Sequence, residues 1–188
     1  TIASSSGDSI IKIWNLDSGQ CVKNLHGHIG LVSGIAFNYD ASTIASAGFD
    51  STVKLWDVSN GMCLNTFQGH THPVNSVAFS IDGKIVISGS NDSTIKLWDI
   101  NSGECIKTLH GHTHSVKSLA VSLDGITIAS ASQDSTIKIW DIRNGECLKT
   151  LEHDNCGIES IKLSFDNSLL ASGGLDHTIK IWDFRTGE

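Results

Sequence analysis

The feature that most constrains the fold of this chain is an internal repeat of 42 residues that runs through the whole sequence. The segments 61–102 and 103–144 align without a gap and are identical at more than half of their positions. The tryptophans keep the spacing strictly, at Trp14, Trp56, Trp98, Trp140 and Trp182. A fixed period of about 20–50 residues indicates stacked copies of one small supersecondary unit, each of which buries its apolar surface against the next.

Each repeat is predicted to contain four short β-strands. In one copy these are 114–122, 126–132, 136–141 and 146–151, which are rich in β-branched or alternating apolar residues and are separated by turn sequences. No stretch shows a convincing 3.6-residue apolar period. The fold class is therefore all-β, with 18 strands expected in groups of three, four, four, four and three.

Net charge and the length of apolar runs exclude two classes of partner. The formal net charge is −7, with 13 Lys and Arg against 20 Asp and Glu, so we expect no nucleic-acid partner. No apolar run approaches the length of a membrane span, and we expect no membrane partner. The chain opens at Thr1 inside an apolar pattern, which indicates a processed product or a piece of something longer.

Short motifs recur in register with the repeat and carry a family resemblance. Gly-His pairs stand at 27–28, 69–70 and 111–112, and Trp-Asp pairs at 56–57, 98–99, 140–141 and 182–183. With these motifs the whole chain resembles the WD40 repeat proteins, and its regularity is similar to WD40 arrays of large bacterial and fungal signalling proteins. Two departures are Asn15 after the first Trp and His153-Asp154 at the fourth Gly-His position.

The resemblance implies a β-propeller with about four and a half repeats, at 1–26, 27–68, 69–110, 111–152 and 153–188. Propellers in general close with 4–8 blades, and WD40 propellers usually need about seven. The repeats of this chain are therefore too few for the usual WD40 ring. Three arrangements stay open: a segment of a larger propeller, which we favour, a ring assembled from several chains, and a small ring closed by this chain alone.

The resemblance also implies a structural His-Ser-Asp-Trp hydrogen-bond network in each blade. A connected set leaves none of these buried polar groups unpaired. Three sets are complete and a fourth lacks its histidine, with Asp154 in that place, so we expect the last blade to be less stable. The residues are His28, Ser46, Asp50, Trp56; His70, Ser88, Asp92, Trp98; His112, Ser130, Asp134, Trp140; and Ser172, Asp176, Trp182. We prefer this serine column to Ser90 and Ser132 because it is serine in all five copies.

The same residue types do not indicate an enzyme. Ser, His and Asp recur three times at a fixed period, whereas a catalytic site is assembled once, and no nucleophile elbow or phosphate-binding loop is present. We expect no catalytic residues, no metal and no cofactor. Four of the five cysteines share one register on the outermost strands, too far apart for disulfides, which indicates small packing residues in a reducing, cytoplasmic compartment.

Binding residues are sought where the repeats differ, because framework positions recur. These variable positions resemble those that face the top of the propeller disc in WD40 proteins, where partners dock. Neutral drift on a solvent-exposed rim would also make the residues at these positions differ. Phe49, Leu31 and Leu175 are the strongest candidates, because apolar residues at exposed loop tips often anchor interfaces. The full set is Leu31, Ser33, Phe49, Pro73, Asn75, Asn91, Ser115, Lys117, Gln133, Gly157, Glu159 and Leu175.

Two functions remain for such a chain. The first is a non-catalytic scaffold that presents these loops to protein or peptide partners. The second is a sensor or regulatory segment of a larger signalling NTPase or kinase whose catalytic domain lies outside this chain. Open terminal blades would also permit self-association.

Overall fold

The structure is a computed structural model that describes residues 1–154 and 156–188. It confirms the all-β fold class and the predicted grouping of 18 strands into five antiparallel sheets. The described part of the chain contains no helix, and hence none that could cross a membrane.

The strands follow one another in chain order within every sheet, so each sheet is a meander of hairpins. The first sheet consists of β1 (Ile2–Ser5), β2 (Ile10–Trp14) and β3 (Cys21–His26). The second consists of β4 (Val32–Phe37), β5 (Thr43–Gly48), β6 (Val53–Asp57) and β7 (Cys63–Phe67). The third consists of β8 (Val74–Phe79), β9 (Ile85–Ser90), β10 (Ile95–Asp99) and β11 (Cys105–Leu109). The fourth consists of β12 (Val116–Val121), β13 (Thr127–Ser132), β14 (Thr136–Asp141) and β15 (Cys147–Glu152). The fifth consists of β16 (Ile158–Leu163), β17 (Leu169–Gly174) and β18 (Ile179–Asp183).

An aspartate holds the tight turn before the third strand of each four-stranded sheet. In the second sheet, Asp50 Oδ1 accepts hydrogen bonds from the backbone N–H and the hydroxyl of Thr52, at 3.1 and 2.8 Å. Ser51 between them adopts a φ of 64°, the left-handed conformation typical of the last position in a three-residue hairpin loop. The side chain of Asp50 therefore fixes the turn from which the network of its repeat is built.

The apolar core is divided into four clusters, each formed where one sheet packs on the next. Between the second and third sheets, Val53, Leu55 and Phe67 pack against Val86 and Trp98. The same register recurs at the other three junctions, because the third strand of one repeat always presents its β-branched or leucine side chains to the tryptophan of the next. Both faces of an inner sheet are thus covered, which explains why its strands are apolar on both sides.

Small residues line the centre around which the sheets are arranged. Ala36, Ala78 and Ala120 on the innermost strands share a cavity of about 370 Å³ with Lys162, which stands in the fourth copy where the others have alanine. The inner strands β4, β8, β12 and β16 contact one another in sequence. Alanine permits this close approach, and the exposed Lys162 extends into the cavity.

The last sheet presents an uncovered face. Ile179 and Ile181 are 77% and 58% exposed, whereas their counterparts Ile137 and Ile139 are 0% and 4% exposed under the fifth sheet. The residues that pack at every other junction thus face solvent on β18.

The cysteines lie on the outermost strands as predicted, but the prediction that their side chains are packed is wrong. Cys21, Cys63, Cys105 and Cys147 open the outermost strands as predicted, and all are free. Their side chains are exposed rather than packed, because no element covers the outer edge of the sheets. Each Sγ lies 3.3–3.4 Å from the backbone oxygen two residues later.

Candidate functional site at the top end

The top end of the molecule is defined here as the end where the innermost strands begin. It carries the loops that enter β4, β8, β12 and β16 and the tight turns before β2, β6, β10, β14 and β18. A cavity of about 460 Å³ opens there, and residues from all five repeats line it. Six of the candidate binding residues contribute: Leu31, Ser33, Phe49, Asn75, Lys117 and Glu159. The remaining lining residues are Ser5, Ser6, Gly7 and Val32.

Two of the variable columns are hydrogen-bonded to each other through the backbone. In each of four repeats, the residue before the turn aspartate donates its N–H to the carbonyl of the residue that enters the first strand, at 2.9–3.0 Å. The pairs are Phe49 with Leu31, Asn91 with Pro73, Gln133 with Ser115, and Leu175 with Gly157. Since the backbone alone makes this bond, the side chains at these positions can differ without loss of the framework.

The three apolar candidates differ in exposure. Phe49 and Leu175 are 45% and 56% exposed, as expected of loop tips. Leu31 is only half-buried, against the expectation of an exposed tip, because it packs beside Gly7 of the preceding repeat. Phe49 is the apolar side chain that is both exposed and part of the cavity.

The charged candidates form one cluster. Lys117 Nζ lies 3.9 Å from Glu159 Oε2, and Gln133 Nε2 donates a hydrogen bond to Glu159 Oε1 at 2.9 Å. The lysine and glutamate side chains are 22% and 40% exposed. A partly exposed ion pair at this distance contributes about 0–1 kcal/mol, so a partner can exchange its own groups for it at little cost.

Two polar candidates instead hold neighbouring sheets together. Ser33 Oγ donates to the carbonyl oxygen of Val74 in the next repeat at 2.5 Å. Asn75 Nδ2 donates to the carbonyl of Val116 at 2.8 Å and to Asn91 Oδ1 at 2.7 Å. Their donor groups are thus already engaged between repeats, which was not foreseen from the sequence.

Directly behind this surface, the residues of the implied network come together in three repeats. In the second repeat, His28 Nδ1 lies 2.9 Å from Asp50 Oδ2, His28 Nε2 lies 2.7 Å from Ser46 Oγ, and Trp56 Nε1 donates to Ser46 Oγ at 2.8 Å. The two following repeats repeat these three distances to within 0.2 Å. Ser46, Ser88 and Ser130 are 0% exposed.

One assignment of protons satisfies the whole set. The indole N–H can only donate, so Ser46 accepts from Trp56 and donates to His28 Nε2, and the opposite ring N–H donates to Asp50. Asp50 Oδ2 also accepts the backbone N–H of Ile29 at 2.9 Å, which ties the entry loop to the turn. The network thereby fixes the loops on which the variable residues stand.

The ionisation of the network follows from burial and hydrogen bonding. Burial would raise the pKa of Asp50, but hydrogen bonds from Ile29, His28 and Thr52 outweigh it and hold the pKa below its usual value. The pKa values of Asp92 and Asp134 lie well below the usual range for the same balance of causes. Burial also lowers the pKa of His28, against the opposing effect of Asp50.

The WD domain, G-beta repeat family model matches the chain four times, over residues 19–57, 61–99, 103–141 and 145–183. These matches cover most of the sequence. The chain belongs to the WD40 family. Among curated proteins, none matches it significantly.

The last WD40 repeat corrects one expectation about the network. Asp154 was expected in the place of the histidine, but the buried ring in that place belongs to His153, with its centroid 6.2 Å from that of Trp182. Asp154 turns outward and pairs with Lys180. His153 Nδ1 is 3.7 Å from Asp176 Oδ2, and neither ring nitrogen has a hydrogen-bond partner among the described residues. Trp182 Nε1 still donates to Ser172 Oγ at 2.8 Å.

A glycine explains the difference between this WD40 repeat and the others. Gly27, Gly69 and Gly111 precede the network histidines with φ values of 155°, 147° and 149°. A Cβ atom on Gly111 would lie 3.1 Å from Trp140 Cη2. His153 occupies the corresponding sequence position and so enters the pocket one residue earlier, from a different backbone point.

The alternative serine column has a different role. Ser90 Oγ donates to the carbonyl of His72 at 2.9 Å, and Ser132 Oγ to that of His114 at 3.0 Å. Both also accept the N–H of the turn aspartate two residues on, at 3.1 and 3.0 Å. They brace the entry loop and turn, and Trp98 and Trp140 donate to the first column instead.

The network has the connectivity of a catalytic triad but not its accessibility. In a triad the serine hydroxyl must reach a substrate carbonyl, with a nearby oxyanion site. Here the serine is fully buried and already accepts a hydrogen bond from the indole of its repeat. No group of three or more His, Cys, Asp or Glu side chains in residues 1–154 and 156–188 is arranged to hold a metal ion.

Proposed function

We propose that the chain is a non-catalytic scaffold whose top end binds a protein or peptide partner. WD40 repeats generally mediate protein–protein interaction, and the carrying observation is the top-end cavity itself. Its lining combines the exposed ring of Phe49, on a turn held by the network of its repeat, with the Lys117–Glu159 pair at the starts of β12 and β16. A rigid frame with varied side chains suits recognition of one specific partner.

The chemistry of the cavity favours a short peptide segment with both apolar and charged groups. Phe49 offers an aromatic surface, and aromatic residues, phenylalanine included, are enriched in the buried core of protein interfaces. Lys117 and Glu159 offer one charge of each sign at their mutual distance of 3.9 Å. A partner that carries a carboxylate and a cation at matching positions would replace the weak internal pair with two intermolecular ones.

A random peptide library displayed on phage tests this proposal. A peptide selected on the wild-type chain is then measured by isothermal titration against Phe49→Ser and Lys117→Ser. We expect each substitution to weaken binding by about tenfold or more, because each removes a central contact. The matched control is Phe165→Ser at the opposite end, which should leave the affinity unchanged. Selected peptides whose binding survives both top-end substitutions would contradict the proposal.

A second candidate uses the same surface within a larger protein. As a regulatory segment of a signalling NTPase or kinase, the top end would bind another domain of its own parent chain. The parent sequence distinguishes the two: a phosphate-binding loop beside the repeats favours the regulatory role, and a parent made only of repeats favours the scaffold. The five free cysteines support placement of either in the cytoplasm.

Self-association through the terminal sheets is a third proposal, carried by Ile179 and Ile181. Their exposed face of β18 has the composition that every inner sheet uses to pack on the tryptophan side of the next repeat. A second copy can offer that side from its first sheet, around Trp14. Light scattering should then give a small multiple of 20.1 kDa for the wild type. Ile181→Lys should return the monomer, and a wild-type monomer would contradict self-association.

A further inference from the structure

An arc of exposed apolar side chains lies at the end of the molecule opposite the candidate site. The arc consists of one residue in each turn between the first and second strands of the last four repeats. All four share one position of the 42-residue repeat and are large: Tyr39, Ile81, Leu123 and Phe165. They are 89%, 39%, 50% and 90% exposed. These four residues are called the bottom arc below.

The bottom arc begins at the rim of the central cavity. Tyr39 and Ile81 line that cavity together with the alanines of the innermost strands. Neighbouring turns are in close contact: a Cβ atom on Gly83 would lie 2.7 Å from Asn38 Oδ1, and one on Gly125 would lie 3.8 Å from Ile81 Cβ. The turns of adjacent repeats therefore lie next to one another at this end of the molecule.

The turns do not need these apolar side chains for their own structure. In the turn at 80–84, Asp82 Oδ1 accepts the hydroxyl of Ser80 at 2.6 Å and the N–H of Lys84 at 3.1 Å, and Gly83 has a φ of 68°. In the turn at 164–168, Asp166 makes the same kind of bonds with Ser164 and Ser168. Polar groups and a left-handed residue thus form the turn, so a polar residue would serve at the exposed position.

Within one chain, the exposed position nevertheless stays large and apolar in four turns out of four. One solvent-exposed column elsewhere in the repeat, by contrast, changes residue type between copies: Gln20, Met62, Glu104 and Glu146. Large apolar side chains that stay exposed on adjacent turns favour an interaction site.

The charges around the bottom arc select the partner. Each of its four residues is followed by an aspartate: Asp40, Asp82, Asp124 and Asp166. Lys84 is the one basic residue in these four turns, while Lys162 lines the central cavity, Arg143 lies beside Asp82 and Arg185 beside Asp124. Hydrogen bonds within the turns lower the pKa of all four carboxyls, that of Asp166 to about 2 through Ser164 and Ser168, so they are ionised at neutral pH.

We propose that the bottom arc docks a basic, amphipathic segment of a protein partner. Apolar side chains of the segment pack on Tyr39, Ile81, Leu123 and Phe165, and its lysines or arginines pair with the carboxylates that follow them. The bound segment lies across the mouth of the central cavity. This surface is separate from the top end, and the chain would thus hold two partners at once.

Synthetic peptides test the chemistry of this proposal. The probe is a fluorescent peptide with leucine on one helical face and lysine on the other, and its fluorescence anisotropy is measured on the full chain. We expect saturable binding that weakens about tenfold or more when glutamate replaces the lysines or serine replaces the leucines. Equal binding of the lysine and glutamate peptides would overturn the proposal.

Variants locate the binding surface. Tyr39→Ser with Phe165→Ser should weaken binding of the leucine–lysine peptide by about tenfold or more. Asp40→Asn with Asp166→Asn should weaken it less and remove part of its salt dependence, because asparagine keeps the oxygen that accepts the turn hydrogen bonds. The controls are Leu64→Ser on β7 and Ile106→Ser on β11, whose side chains are exposed on the outermost strands, and both should leave the affinity unchanged.

Two outcomes of these measurements would overturn the proposal. One is loss of peptide binding in the control variants to the same extent as in the arc variants. The other is a fall in the solution mass of the chain on Tyr39→Ser with Phe165→Ser, because a second copy would then be the occupant of the arc. Circular dichroism of each variant shows whether it is folded, so that a loss of binding caused by misfolding is recognised. The variants that test the bottom arc and those that test the top end change different residues, so failure of one proposal leaves the other standing.

Discussion

The fourth and last repeats hold the same four residue types in two different states. In the fourth repeat, His112 lies 2.7 Å from both Asp134 and Ser130, and Trp140 is 1% exposed. In the last repeat, the histidine ring is fully buried but stands 3.7 Å from its aspartate, with both nitrogens unpaired among the described residues. Residue composition alone therefore does not make the network.

The comparison indicates that the network forms where the histidine ring enters its pocket from the residue after a glycine. Gly111 lets the chain pass close to Trp140 and delivers the histidine ring from the next residue. Without a glycine at that point, His153 fills the pocket by shape, and its hydrogen-bonding groups miss their partners. We expect the two states to differ in how much stability each residue contributes.

The tryptophans should show the largest contrast. Trp140→Ala removes a fully buried ring and the donor to Ser130, so we expect the free energy of unfolding to fall by about 3–5 kcal/mol. Trp182→Ala should cost less than half of that, because Trp182 is only half-buried. Urea titrations measure both, and equal losses would mean that the two repeats are equally well packed.

Replacing the network histidine should lower the free energy of unfolding in the fourth repeat but not in the last repeat. His112→Phe removes the histidine hydrogen bonds of Ser130 and Asp134, although Ser130 keeps the bond from Trp140, and loss of a partner by such a group costs about 1–3 kcal/mol. His153→Phe places an apolar ring where two imidazole nitrogens have no hydrogen-bond partner among the described residues, and should leave stability unchanged or raise it. A clear destabilisation by His153→Phe would show that this ring is hydrogen-bonded in solution.

Acid should destabilise the complete networks through their aspartates. The folded-state pKa of Asp134 lies well below its ordinary value, so its stabilisation is present above about pH 4 and is lost as pH falls towards that lower pKa. We expect Asp134→Asn to flatten the fall in unfolding free energy below pH 4. Asp176→Asn in the last repeat should flatten it less, since Asp176 has no bond to a histidine. Identical pH profiles for the two variants would contradict this comparison.

Near neutral pH the histidine contributes separately. Burial lowers the pKa of His28 in the folded state, so the unfolded chain takes up a proton first as pH falls below about 6.5. Stability should therefore fall between about pH 7 and 5, and His28→Gln should flatten that part of the profile. The same measurement at higher salt is the control, because a buried group is screened little.

The smallest expected effect is a repair of the last repeat. His153→Gly with Asp154→His restores the Gly-His pair and should raise the free energy of unfolding by about 1 kcal/mol, the net value of a hydrogen bond. The gain is partly offset by loss of the pair between Asp154 and Lys180. The variant should show a higher urea midpoint with an unchanged slope. A lower midpoint would show that the glycine is not the deciding feature.

Much of the fold could be predicted because the same sequence pattern occurs in several copies of the repeat. The 42-residue period, the turn sequences and the β-branched runs define 18 strands and their grouping into sheets. The choice of Ser130 over Ser132 followed from its recurrence in all five copies, and Trp140 donates to Ser130.

The rest depends on geometry that residue identity does not encode. Nothing in the pattern indicated that His153, in a glycine column, would enter the histidine pocket. Nor could the sequence indicate that Ser33 and Asn75 bond to the next repeat, or that Leu31 packs beside Gly7. The bottom arc was hidden within segments assigned only as turns.

The central claim is that repeated residues hold the frame while the varied residues at the top end bind. One paired measurement tests it most directly: unfolding free energy and affinity for the library-selected peptide, on His112→Phe and Phe49→Ser. We predict that His112→Phe lowers stability by about 1–3 kcal/mol or more and, while folded, keeps the affinity within about twofold. Phe49→Ser should change stability by less than about 1 kcal/mol and weaken binding by about tenfold. A Phe49→Ser variant that loses stability but binds the peptide as the wild type does would contradict the claim.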